Sequence, residues 1–205
     1  MRGLYVITDA RLISPALFAE KVEQAILGGA AIVQYRDKSS DTARRLLQAR
    51  QLKDICHRHN VISIINDDVE LAQAVDADGV HLGIGDGNLS EAREKLGPGK
   101  LIGISCYNQL DRALRAQAAG ADYVAFGSFF ASATKPEAKR ASLELLIQAR
   151  QQLSVPICCI GGITVDNAQP LVSAGADMLA VITAIFGEAD VKLAAQRFAQ
   201  IFGPT

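Results

Sequence analysis

The sequence has no excess of charge of either sign. Lys and Arg number 21 and Asp and Glu 22 among 205 residues, for a formal net charge of -1. A chain built to coat nucleic acid or an anionic membrane carries a basic surplus, so neither partner is expected; a small local basic site stays open. No apolar run approaches the ~20 residues that span a bilayer. No targeting segment is expected either, because the strand-like run Leu4 to Thr8 begins almost at the first residue. Cysteine is sparse: Cys56, Cys106, Cys158 and Cys159, with no C-x-x-C spacing. Cys158 and Cys159 are adjacent in an apolar run and on a strand would face opposite ways. The four read as reduced structural thiols of a cytoplasmic protein. No G-x-G-x-x-G follows the first strand, where the chain reads ITDARLIS. That absence weighs against a doubly wound open sheet with a phosphate loop at this point.

What is present is a monotonous alternation. Hydrophobic residues make up 49%, enough for a globular chain with a substantial core, and residues 1–205 read as one domain with no linker or low-complexity tract. Eight short apolar runs are candidate strands: LYVIT from Leu4, AIVQYR from Ala31, VISIIN from Val61, GVHL from Gly79, LIGIS from Leu101, YVAF from Tyr123, PICCI from Pro156 and MLAVI from Met178. Most lack period-two alternation, as expected of parallel strands covered on both faces. Between and after them lie segments of helical period, several ending in GGAA, DADG or AGAD. There a glycine such as Gly28, Gly120 or Gly175 is expected to stop the helix in the left-handed conformation, while Gly79 opens its strand. Eight such repeats predict an α/β fold, a (β/α)8 TIM barrel at the short end of its size range.

In such a barrel the active site forms where the strands run out, and polar residues collect there. The second strand ends in VQYRDK, with Gln34, Arg36 and Lys38 at every second position and so on one face. The third ends in Asn66-Asp67-Asp68, the fourth leads to Asp86, and the fifth ends in Ser105. The sixth opens into GSFFASATKPEAKR, which contains Ser132, Thr134 and Lys135. Arg36, Lys38 and Lys135 beside Asp67 and Asp86 suit neither a pure cation site nor a pure anion site. They suit a metal-bound diphosphate, because Mg²⁺ takes one or two carboxylates and lets phosphates and water complete its octahedron. Three cations and two carboxylates leave one positive charge, and a divalent ion makes it three. A diphosphate ester, at about three negative charges, would bring the filled site close to neutral. Gly161-Gly162 after the seventh strand and Ile182-Thr183 after the eighth mark the place where barrels often bind phosphate.

Each of these features also has a plainer reading. The five charges can form an internal salt-bridge network, although such pairing seldom outdoes an apolar core. Gly161-Gly162 can be a tight turn. His57 and His59 close a helix at its negative pole, and His81 reads as a hydrogen-bonded structural histidine. The loop from Ser128 to Arg140 reads as a solvated crossing or as a lid closing on anions.

Taken together, LYVITD, VQYRDK, IINDD, ADGVHLG, Asp86, IGIS, GADYVAFG, Thr134-Lys135, IGGI and AVITAI resemble the thiamine phosphate synthase family in order and spacing along nearly the whole chain. The resemblance implies a transferase that joins 4-amino-2-methyl-5-(diphosphooxymethyl)pyrimidine to 4-methyl-5-(2-phosphooxyethyl)thiazole. Diphosphate leaves first, and the thiazole nitrogen captures the pyrimidine methylene cation. It implies Gln34, Arg36, Lys38 and Asn66 on the pyrimidine diphosphate; Tyr35 and Asp37 belong to the same wall with their side chains turned outward into packing. It implies Mg²⁺ on Asp67 and Asp86, with Ser105 and Lys135 donating to the departing diphosphate. Arg36, Lys38, Ser105 and Lys135 are then the catalytic set. Ser132, Ala133, Thr134, Gly162, Ile182 and Thr183 are implied on the thiazole phosphate. The chain departs from the family pattern at Ile84-Gly85, where a glutamine and an acidic residue are common, and at Ala131-Ser132, where the lid often reads Pro-Thr. The implied partners are these two small molecules, with room for a homo-oligomer.

Three other functions compete. A thiazole tautomerase of the same fold needs no diphosphate–metal set, so the joint presence of Arg36, Lys38, Asn66, Asp67, Asp86 and Lys135 argues against it. A Schiff-base aldolase would use Lys38 or Lys135. A phosphate-ligand sensor would bind without turnover.

Overall fold

A computed structural model describes residues 1–83, 85, 87–131 and 140–203. Its strands are β1 (Gly3–Ile7), β2 (Ala30–Tyr35), β3 (Ile62–Asn66), β4 (Gly79–Leu82), β5 (Leu101–Tyr107), β6 (Tyr123–Gly127), β7 (Ile157–Ile160) and β8 (Met178–Val181). All pair in parallel with their sequence neighbours, and β8 returns to β1 to close the barrel. The helices are α1 (Phe18–Leu27), α2 (Thr42–Arg58), α3 (Val69–Ala74), α4 (Leu89–Leu96), α5 (Leu110–Ala118), α6 (Leu143–Gln152), α7 (Val165–Ser173), α8 (Thr183–Phe186) and α9 (Val191–Gln200). The expected (β/α)8 barrel is what forms. The expected strands match to within a residue or two at each end, and the short α8 (Thr183–Phe186) adds to the eight segments of helical period at the place where barrels often bind phosphate.

The strands run with little alternation because both faces are buried, and each face has its own core. Tyr5, Ile7, Ile32, Ile64, Tyr123, Cys158 and Met178 fill the barrel interior. Leu4, Val6, Val33, Ile65, Val80, Ile102, Cys159 and Leu179 pack outward against the helices. Cys158 and Cys159 therefore do face opposite ways. Several helices start where polar side chains satisfy otherwise unpaired N–H groups. Asp41, Asp68, Ser142 and Asp190 accept from the N3 amides of α2, α3, α6 and α9.

One expectation about glycine needs correction. Gly28 closes α1 with an ordinary right-handed φ of -84°, and the left-handed residue is Gly29 at +100°. Gly28 is small for another reason: a Cβ there would run into Ala195 and the Lys192 carbonyl of α9. Gly120 and Gly175 do take the left-handed conformation, at +90° and +108°. In DADG the role falls to Asp76, at +52°. The aspartates of the repeated Ala-Asp pairs have a further use at the strand starts. Asp78, Asp122 and Asp177 each accept a backbone N–H from the first or second residue of the preceding strand: Ser63 (2.8 Å), Ile102 (2.7 Å) and Ile157 (2.8 Å). This device sits on the face of the barrel that serves stability rather than chemistry.

Candidate active site

VQYRDK alternates as the strand requires. Gln34 points into the barrel and is almost fully buried, with its Nε2 donating to Tyr5 Oη at 2.8 Å. Arg36 is half-buried at the rim, and its backbone N–H donates to Thr8 Oγ1 at 2.9 Å. Lys38 is exposed and reaches Asp67, with Nζ 3.4 Å from Oδ2. Tyr35 and Asp37 are held on the other side. The Tyr35 hydroxyl donates to Gln48 Oε1 of α2 at 3.2 Å, and its ring meets Phe18 edge-on. Asp37 accepts from the Ser39 N–H (2.8 Å) and from Arg44 (3.1 Å). Burial opposes charge on the Asp37 carboxyl, yet these donors hold it below the usual carboxylate range.

Asn66 and Asp67 end β3 beside this wall. Asp67 occupies the left-handed region at φ +64°, and its N–H donates to the His81 carbonyl at 2.8 Å, extending the β3–β4 ladder by one residue. Asp68 is spent on structure: it caps α3 and pairs with Arg45 at 2.6 Å. A cleft of about 460 Å³ opens here, between Lys38, Asn66, Asp67, Asn88 and Glu91. Ser105 sits on the inward face of β5, just before a bulge at Cys106 that shifts the β5–β6 register. The Arg112 side chain holds the Ser105 carbonyl at 2.7 Å.

The other half of the expected site lies after β7 and β8. Gly161 and Gly162 both have positive φ, +106° and +62°, and both have a packing reason to lack a side chain. A Cβ on Gly161 would strike Ser128, and one on Gly162 would strike Phe130 and Ala131. Among the described residues, none accepts a hydrogen bond from the Gly162 N–H. Ile182 caps α8, and Thr183, its first residue, is exposed. Lys38, Asn66 and Asp67 thus gather on β2 and β3, and Gly162, Ile182 and Thr183 on β7 and β8. The two groups share one rim on different sides of the barrel. Asp86, Ser132, Ala133, Thr134 and Lys135, like Ile84, lie outside the described residues.

The described donors suit Mg²⁺ completed by a substrate, not an all-protein metal cage. Asp67 and Asn66 offer hard oxygens at a roomy cleft, and among the described residues no group of three His, Cys, Asp or Glu could hold an ion. Among those residues, too, no helix is long and apolar enough to cross a membrane.

His81 is the hydrogen-bonded histidine expected from the sequence, but sequence reasoning missed the two tyrosines beneath the rim that join it. Tyr5, Tyr123 and His81 form a hydrogen-bonded path below Gln34 and Ser105. The available signal was the period-two placement of Tyr5, His81 and Tyr123 on inward positions of their strands.

The profile of the TMP-TENI family, thiamine monophosphate synthase, matches residues 4–185. The chain belongs to the thiamine monophosphate synthase family. Among relatives in this family, the thiamine-phosphate synthase of Thiobacillus denitrificans is 52% identical over 200 residues, covering 98% of this chain and 94% of that one. That of Aromatoleum aromaticum is 50% identical over 202 residues, covering 98% and 97%. Among solved structures, thiamine phosphate pyrophosphorylase from Pyrococcus furiosus superposes with a TM-score of 0.89 at 36% identity, over 98% of this chain and 95% of that one.

Proposed function

We propose that this chain is a transferase that makes thiamine phosphate from the pyrimidine diphosphate and the thiazole monophosphate, releasing diphosphate. The observation that carries the reading is identity of about half, over nearly the whole length, with curated thiamine-phosphate synthases. The cleft supports it, because it sets cationic Lys38 against Asp67 and Asn66 at the strand ends, where a dianionic or trianionic leaving group needs both a metal and donors.

On this reading Gln34, Arg36, Lys38 and Asn66 bind and orient the pyrimidine diphosphate, while Tyr35 and Asp37 brace that wall from outside. Asp67 together with Asp86 would hold Mg²⁺, which when bound would supply positive charge beside the diphosphate oxygens. Ser105 and Lys135 donate hydrogen bonds to the same oxygens as charge develops on them. Gly162, Ile182 and Thr183, with Ser132, Ala133 and Thr134, hold the thiazole phosphate so that its ring nitrogen is in line with the methylene carbon. The carbon–oxygen bond breaks with its electron pair going to diphosphate, and the thiazole nitrogen lone pair forms the new bond. No protein nucleophile is needed, since the aminopyrimidine delocalises the cation. The buried thiols agree with a reducing compartment such as the cytoplasm: burial pushes those of Cys56 and Cys106 up to about 12.

The test is to mix the two substrates with Mg²⁺ and measure diphosphate and thiamine phosphate, with a chelator control. Equal amounts of the two products, lost on chelation, are expected. Rearrangement of a thiazole phosphate with no diphosphate released would favour the tautomerase instead.

A further inference from the structure

Among the described residues, a line of hydrogen bonds crosses the barrel interior through five strands. Gln34 Nε2 on β2 donates to Tyr5 Oη on β1 at 2.8 Å. Tyr5 Oη lies 2.9 Å from Tyr123 Oη on β6, and Tyr123 Oη lies 3.0 Å from His81 Nδ1 on β4. His81 Nε2 lies 2.9 Å from Ser105 Oγ on β5. Both tyrosines are fully buried, and the backbone makes room for one of them: a Cβ on Gly103 would overlap the Tyr123 ring and hydroxyl.

Counting protons gives the line a direction. An amide NH₂ has only hydrogens to offer, so Tyr5 accepts from Gln34. Burial holds both phenols far above their usual range, so each keeps its one proton. The Tyr5 proton is then left for Tyr123, and the Tyr123 proton for His81 Nδ1. A neutral imidazole that accepts at Nδ1 carries its hydrogen on Nε2, and that hydrogen goes to Ser105 Oγ. The Ser105 proton is the one left over, free to point into the site. Reversing the rest of the line with the Gln34 amide as it stands would leave the buried Tyr5 proton with no acceptor; with the amide turned over every bond would reverse, and Ser105 would show an anion only its lone pairs.

We propose that Tyr5, Tyr123 and His81 are positioning residues that hold His81 as the Nε2–H tautomer and thereby fix the Ser105 hydroxyl as a donor to the departing diphosphate. The inference rests on reading Ser105 as a diphosphate contact. It adds a role for three residues that do not themselves touch the reacting atoms. Directed chains of this kind act as a unit, so their members should not contribute independently.

Two measurements on the intact enzyme test it. The chain has three histidines, so nitrogen NMR of histidine-labelled protein, above the ordinary histidine pKa of about 6.5, can isolate His81 with His57→Gln and His59→Gln. Protonation at Nε2 is expected in the wild type, and a proton on Nδ1 would overturn the proposal. This readout needs no variant within the line, so it decides even if Tyr123→Phe fails to fold. In the synthase assay, Tyr123→Phe should lower kcat about tenfold with the KM for thiazole phosphate unchanged. In a Ser105→Ala background the same change should cost less than about twofold. Tyr5→Phe, which leaves Tyr123 able to donate to His81, should cost less than Tyr123→Phe. Equal losses from Tyr123→Phe in both backgrounds would reduce it to a packing residue and end the proposal. A wild-type enzyme that released no diphosphate would instead overturn the reaction assignment.

Discussion

Lys38 Nζ stands 3.4 Å from Asp67 Oδ2, and Asp67 holds its carboxylate there from a left-handed backbone at φ +64°. Few residues other than glycine accept that conformation, but Asn and Asp do so readily. Asp67→Asn therefore tests the charge without disturbing the chain path. If Asp67 helps to hold Mg²⁺, kcat should fall by about 100-fold or more, while the thermal midpoint moves little. Asp67→Ala should lose activity to a similar extent and also cost about 1 kcal/mol or more in stability from backbone strain. Near-normal, chelator-resistant turnover by Asp67→Asn would remove the metal role.

Arg36 follows β2 and Thr183 opens α8 after β8, with β1 between the two strands, so their losses should be separable. Arg36→Ala is expected to weaken the pyrimidine diphosphate about tenfold or more, as a charged hydrogen bond is lost, and to change thiazole phosphate affinity less than about twofold. Thr183→Val should do the reverse. Calorimetry with each substrate alone reads both, and equal losses for the two ligands would mean one shared anion site.

The parts that were legible in the sequence share a cause. The eight apolar runs and the segments between them repeat one strand–helix unit, and the closed barrel follows from that repetition. Rim residues such as Arg36, Lys38 and Asp67 stand out because charge at a buried strand end is costly without a purpose. Gly28 misled because two glycines stand together, and the sequence does not say which takes the positive φ; the approach of α9 decides that. Tyr5 and Tyr123 were hidden because an inward tyrosine looks like any other core aromatic until strands far apart in sequence bring two hydroxyls to 2.9 Å.

Gly103 carries a prediction about that hidden layer. Its Cβ position is occupied by the Tyr123 ring and hydroxyl, which are enclosed and cannot swing away. Gly103→Ala should destabilise by about 1–3 kcal/mol through overpacking. Gly99→Ala is the control, because a Cβ there meets nothing within 4 Å. Urea unfolding of the two variants compares them, and equal midpoints would show that the Tyr123 ring is not confined as described.

Asp37 gives a pH dependence whose sign can be worked out. Its side chain is 3% exposed and receives hydrogen bonds from the Ser39 N–H and from Arg44. Burial opposes its charge, but these donors leave its folded pKa below the unfolded value. The unfolded chain then binds the proton more readily, so stability from this group is fully present above the unfolded carboxylate pKa of about 3.9. It is lost as pH falls through the lower folded value. Asp37→Asn removes that contribution and leaves Arg44 without its charged partner, though still bonded to Ser39 Oγ, so the variant should be about 1–2 kcal/mol less stable at neutral pH. Below the ordinary carboxylate range, as the wild-type carboxyl itself becomes protonated, the gap should narrow. Urea midpoints for both proteins across this range decide it: curves that stay parallel down to the acid end would mean that the Asp37 carboxyl is not held charged by its neighbours.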